Sequence, residues 1–200
     1  MKKLFSQFAK PTGATGKIFG LLMAKENKQI NRWTIDFLDI KDHDHIVEIG
    51  FGSGQAMEEI LGSGKHLYIT GIDPSEVMVY QALRRLNKHL INGQIQFFER
   101  YADDFPKLSR KIDNVLAINN VSFWHKPVVT LTKIYKQMNH GGRIALTLRP
   151  HEKGATDETT NLIGGQLKSM LVKAGFSEIA IFIKPTKPND TVCAVGRKAH

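Results

Sequence analysis

The sequence predicts an α/β protein: a mixed, mostly parallel sheet of seven strands with crossover helices on both faces and an antiparallel final strand. Three observations carry that reading. From His45 onward, short apolar runs alternate with segments of helical period. A glycine-rich turn follows the first apolar run and leads directly into a helical segment. The last two runs, IAIFIK (Ile179 to Lys184) and TVCAVG (Thr191 to Gly196), are joined by PTKPND, which is too short to contain a crossover helix.

The elements can be justified in order. PTGATGK (Pro11 to Lys17) is turn-rich, whereas Leu22, Ile30, Trp33 and Phe37, spaced among charges, predict one or two short helices before residue 40. IVEI (46–49) reads as the first strand, Gln55 to Leu61 as a helix and HLYITGID (66–73) as the second strand. Val79, Leu83, Leu86 and Leu90 then recur on one helical face. IQFF (Ile95 to Phe98) and IDNVLAI (Ile112 to Ile118) are the next strands, followed by a helix marked by Val128, Leu131, Tyr135 and Met138. RIALTLR (Arg143 to Arg149) is the fifth strand. Leu167, Met170, Leu171 and Ala174 support another helix, which Gly175 is placed to end. With no internal repeat and no linker-like change of composition, residues 1–200 read as one domain.

Composition bounds the function without choosing it. Lys and Arg number 28 against 19 Asp and Glu, and the formal charge of +9 permits an anionic ligand, nucleic acid or an acidic lipid surface while requiring none. The single cysteine, Cys193, excludes an intrachain disulfide and a cysteine-rich zinc site, and it suits a reducing compartment. MKKLFSQFAK lacks the apolar run of a signal peptide, and no stretch of about 18 apolar residues occurs, so cytoplasmic residence without a transmembrane segment is expected.

HIVEIGFGSGQ (His45 to Gln55) is the most informative stretch. Gly50, Gly52 and Gly54 follow a strand and precede a helix, where bare backbone permits positive φ and close approach of a ligand. The carboxyl ends of parallel strands are also where ligands bind in such sheets. A dinucleotide fingerprint needs glycine where Gln55 stands, so the nicotinamide or flavin reading loses force. GATGK (Gly13 to Lys17) and GSGKH (Gly62 to His66) both fail the spacing of a phosphate loop.

VEIGFGSGQ resembles the first motif of the class I S-adenosylmethionine-dependent methyltransferases, GIDPSEVMV their second, YADDFP the loop framing the adenine, IDNVLAINNVSFW the fourth-strand motif and MNHGGRIAL the turn into the fifth strand. The likeness runs from about Asp36 to Gly196 and implies the Rossmann-like fold of that family, with S-adenosyl-L-methionine as methyl donor. It implies that Asp73, beside Pro74, accepts from the ribose diol. Glu48, a charge inside an apolar strand, would organise the loop near the methionine amino group together with Gly50, Gly52 and Gly54. Met78 would pack on the adenine, with Ala102 and Asp103 contacting its edge, and Asn119 would meet the methionine portion. Ser75 is the expected helix cap. Methyl transfer needs in-line alignment and no metal; where the accepting atom carries a proton, His125 is the candidate base and His151 the second.

NNVS stands where many nucleic-acid and protein amine methyltransferases carry Asn-Pro-Pro-aromatic, and the positive charge is dispersed with no long arginine-rich arm. These features favour a partly apolar small-molecule acceptor over a stable nucleic-acid partner. The alternatives are an RNA-associated methyltransferase and a non-catalytic S-adenosylmethionine-binding protein. Residues 1–40 resemble the opening segment of small enzymes of the quinone-biosynthesis type. Phe5, Phe8, Phe19, Leu22 and Met23 would cover the acceptor pocket as a helical lid or wall, with Gly13, Gly16 and Gly20 allowing movement.

Overall fold

A computed structural model describes residues 27–90, 93–150 and 154–199. The lid residues Phe5 to Met23 and the second base candidate His151 lie outside these. The described chain begins with helix α1 (27–35), and from there strands and helices alternate: β1 (His45–Ile49), α2 (Gln55–Leu61), β2 (Tyr68–Asp73), α3 (Glu76–Arg85), the single turn α4 (Asn87–Leu90), β3 (Ile95–Glu99) and β4 (Ile112–Ile118). Helix α5 (Pro127–Gln137) leads into β5 (Met138–Leu148), and α6 (Asp157–Ala174) into β6 (Ser177–Lys184) and β7 (Thr191–Arg197). Among the described residues no helix is long and apolar enough to cross a membrane.

The seven strands lie in the order β3-β2-β1-β4-β5-β7-β6. Neighbours from β3 through β5 are parallel, whereas β7 pairs antiparallel with both β5 and β6. The return strand therefore inserts between β5 and β6 rather than adding at the edge, because the α6 crossover sets β6 down one strand-width too far and leaves a slot for β7. The expected antiparallel last strand is present.

Period-two alternation divides the apolar side chains between two cores. Val47 and Ile49 of β1, Val115 and Ala117 of β4, and Ile144 and Leu146 of β5 face Leu131 and Ile134 of α5 and Leu167 and Leu171 of α6. Ile46, Leu116, Ala145 and Cys193 face the other way, toward Met57 and Ile60 of α2, Ala82 of α3 and Leu86 at the end of that helix. Two sequence expectations shift in detail. Leu83 is exposed, because Ala82 and Leu86 form the buried stripe of α3. Met138 is the first residue of β5 rather than the last of α5, paired with Ile112 and fully buried.

Helix α1 is fixed onto the sheet. Ile30 is buried, and Thr34 donates to the Ile30 carbonyl (2.9 Å) while bonding Thr147 of β5 (2.7 Å). Phe37 stacks on Phe182 of β6 at 4.3 Å, and Arg143 donates to the Phe37 carbonyl. Gly175, with φ of 102°, ends α6 in the left-handed conformation its position in the sequence predicts.

Candidate functional site

The chain proceeds from β1 outward to β2 and β3 and then returns to β4 on the other side of β1, so a crevice opens where the winding reverses. A cleft of about 210 Å³ occupies this place. It is lined by Glu48, Gly50, Gly52 and Ser53 from β1 and the turn after it, by Gln55 at the start of α2, by Ile118 and Asn119 at the end of β4 and just beyond it, and by Asn27 and Asn31 from α1.

The glycine turn is shaped by its neighbours. Gly50 has φ of +67°, and a β-carbon there would lie 2.5 Å from the Asn120 amide nitrogen. That amide donates to the Ile49 carbonyl (2.7 Å) and the Ile118 carbonyl (3.1 Å), tying the ends of β1 and β4 together. Its oxygen accepts from the Trp124 indole (3.0 Å), which makes Trp124 a buried core residue. Gly52 has φ of +52°, and among the described residues beyond its chain neighbours no atom lies within 4 Å of where a β-carbon would stand, so that side is open to a ligand.

Asp73 ends β2 and reaches back across the turn. One carboxylate oxygen accepts from the Gly52 N–H (2.9 Å) and the other from the Ser75 N–H (2.9 Å). Each oxygen keeps a further lone pair for a ligand hydroxyl. Ser75 caps α3 by accepting from the Met78 N–H, as expected from the sequence.

Glu48 is 4% exposed, lies on the same face of β1 as Ile46, toward α1 and α2, and has a buried carboxylate oxygen with no hydrogen-bond partner among the described residues. Burial, with a smaller contribution from the charge of Asp73, pushes its carboxyl up to about 8. A backbone hydrogen bond from Met57 favours the charged form only in part, and a buried acid at the lip of a cleft is costly in folding terms and suits a cationic ligand group. Asn119 adopts a left-handed backbone (φ 56°), which asparagine tolerates better than most residues; its side-chain oxygen accepts from the Arg149 N–H (2.8 Å).

Asp73 stands beside the lining of this cleft rather than in it, Gly54 packs against Ala82 of α3, and the remaining sequence candidates also lie outside the lining. Pro74 is exposed and Met78 half-buried at the start of α3, and Ala102 is buried in a short 3-10 turn after β3. The Asp103 carboxylate accepts from the backbone N–H groups of His125 (3.0 Å) and Lys126 (2.8 Å), from Thr130 (3.3 Å), and contacts the His125 ring (3.2 Å). Partial burial pulls its carboxyl up, but these donors outweigh it and hold it down at about 2. Asp103 therefore anchors the loop between β4 and α5. His125 itself is largely exposed beside that anchor.

Sequence reasoning missed Asn27 and Asn31. Their four-residue spacing puts both amides on one helical face, but only the docking of α1 brings that face to the cleft.

Residues 46–142 match the methyltransferase domain family. An uncharacterized methyltransferase of Bacillus subtilis (strain 168), YdaC, is 36% identical over 184 residues, covering 90% of this chain and 98% of that one. Among solved structures, the N-methyltransferase NodS from Bradyrhizobium japonicum WM9 in complex with S-adenosyl-L-homocysteine superposes with a TM-score of 0.68 at 14% identity, over 86% of this chain and 87% of that one. Magnesium protoporphyrin IX methyltransferase from Synechocystis PCC 6803, with bound S-adenosylmethionine, gives 0.64 at 16% identity over 95% and 86%. At these identities the two structures speak for the fold, which is Rossmann-like.

Proposed function

This chain belongs to the class I S-adenosylmethionine-dependent methyltransferases, and from that premise we propose that it transfers the donor's methyl group directly to a partly apolar small-molecule acceptor. The observation that carries the donor site is Glu48: a buried carboxylate with an oxygen that has no partner among the described residues, lining the cleft where the sheet reverses. S-adenosylmethionine supplies an electrophilic methyl carbon on a sulfonium and carries a ribose diol and a zwitterionic tail.

Each of these features meets a residue suited to it. Glu48 receives the ammonium group, which restores a counter-charge to the buried acid. Asp73, already oriented by Gly52 and Ser75, accepts from the ribose hydroxyls. Gly50, Gly52 and Gly54 let the main chain approach, and Asn119 borders the methionine portion. Pro74 and Met78 at the start of α3 and Ala102 after β3 frame the nucleoside. The Asp103 carboxylate acts there through the loop it anchors, so its main chain is the better adenine contact. With Asp103 held against one ring nitrogen, His125 has the other nitrogen to accept a proton from the acceptor. Most of the rate enhancement comes from alignment and exclusion of water by the site walls.

The small-molecule reading is supported by NNVS in place of a planar-amine motif and by dispersed positive charge. Incubation with methyl-labelled donor and separate pools of metabolites, RNA and protein is expected to leave label in the metabolite pool. Label confined to RNA would make the acceptor RNA, and donor binding without label anywhere would leave a non-catalytic binding protein. For the donor site, Asp73→Ala is expected to weaken S-adenosylhomocysteine binding by roughly 10- to 100-fold in calorimetry, the worth of hydrogen bonds to a charged group. Unchanged affinity in the folded variant would overturn the site.

A further inference from the structure

We propose that two copies of this chain associate through strand β6, each pairing antiparallel with the other's β6 about a two-fold axis at Ile181, so that the two sheets run on as one.

The sheet has two outer edges, β3 and β6, and they are built differently. β3 is five residues long, and the side chains it exposes are Gln96 and Glu99. β6 is eight residues long, and its consecutive Ile181, Phe182 and Ile183 are 36%, 38% and 40% exposed. Among the described residues no strand pairs with its outer side. Soluble proteins usually blunt such an edge with charge, proline or shortness, yet IAIFI (179–183) contains neither a charge nor a proline. The bulge at Glu178 (φ 49°) disturbs only the start of the strand, and Ala180 to Lys184 keep regular register with β7.

The strand's own sequence selects a second copy as the occupant. A two-fold axis perpendicular to the sheet keeps each face on its own side, so only residues of the same face stand opposite one another. Ile179, Ile181 and Ile183 share the face toward α6, where Ile181 lies against Gly164. Glu178, Ala180, Phe182 and Lys184 share the α1 face: Phe182 stacks on Phe37, Lys184 lies over the Trp33 ring, and Glu178 reaches Arg197 of β7 at 3.4 Å.

With the axis at Ile181, Ile179 meets Ile183, small Ala180 meets large Phe182, and Glu178 meets Lys184, each pair occurring twice. An axis at Ala180 would set Glu178 opposite Phe182, and one at Phe182 would set Lys184 opposite Ala180. Only the Ile181 register matches acid with base and small with large. The Glu178 side chain is 67% exposed despite its contact with Arg197, which leaves it open to a second cation.

Sedimentation velocity of the full chain over a concentration series is expected to show a reversible dimer. Ile181→Lys sets two cations against each other on the axis and should weaken dimerisation roughly tenfold or more. Glu178→Lys and Lys184→Glu should each weaken it by bringing like charges together, and the protein carrying both exchanges should recover wild-type association. Unaltered circular dichroism spectra are the folding control, and the charge exchange decides the matter even if Ile181→Lys fails to fold. A wild type that stays monomeric at every concentration would overturn the proposal, whether residues 1–26 cover the edge or it stays bare. So would a dimer that neither single charge variant weakens, or a double exchange that restores nothing.

Discussion

Glu48 shows how far a single residue can be read. In the sequence it is a charge inside an otherwise apolar strand, which is costly unless something pairs with it. The structure adds the oxygen with no partner among the described residues, and with it a test. Because the folded protein holds the Glu48 proton up to about 8 and the unfolded chain releases it in the ordinary glutamate range, the folded state binds more protons between those limits. Stability without donor should fall as pH rises through that window and then level off. Glu48→Gln should remove this component, as measured by denaturation midpoints across pH; identical slopes in both proteins would refute the assignment. Donor binding adds the reciprocal effect: below about pH 8, pairing with the ammonium expels the proton. Asp103 is the opposite case. The adjacent acids of YADDFP cannot be told apart by type, and only the tertiary position of His125, Lys126 and Thr130 makes one of them a loop anchor.

At the scale of elements, local patterns served well where a boundary is set by local chemistry. Gly175 ends α6 and Ser75 caps α3 because left-handed backbone and capping depend on one or two residues. Leu83 and Met138 moved because apolar residues on a helix border can face the sheet, the solvent or the next strand, and the neighbours decide. Helix α1 is the larger case. Its apolar residues predict a helix, but its place above the cleft is fixed by a buried hydroxyl pair, Thr34 with Thr147, formed across 113 positions of sequence. Thr34→Val leaves the Thr147 hydroxyl without that partner and should cost about 1–3 kcal/mol in denaturant unfolding. The double variant with Thr147→Val should cost less than the two singles together. Strict additivity would show that the contact contributes nothing.

For the whole molecule, the reversed strand β7 is held between β5 and β6, and its Cys193 is completely buried, with burial pushing the thiol up to about 12. A thiol reagent should therefore reach Cys193 only when the sheet opens, and S-adenosylhomocysteine at about 100 times its dissociation constant should slow labelling about 100-fold through its stabilisation of the folded state. Rapid labelling under native conditions, insensitive to ligand, would show that this half of the sheet opens on its own. The sequence by itself determined the alternation of strands and helices, the antiparallel finish, the glycine turn and the acid at the end of β2, because each is written in periods of two or 3.6 residues or in a contiguous motif. The tertiary structure alone decided which strands became neighbours, that α1 brings Asn27 and Asn31 to the cleft, and that Asp103 holds a loop. Those are contacts between residues distant in the chain, and no local pattern encodes a partner that only packing supplies.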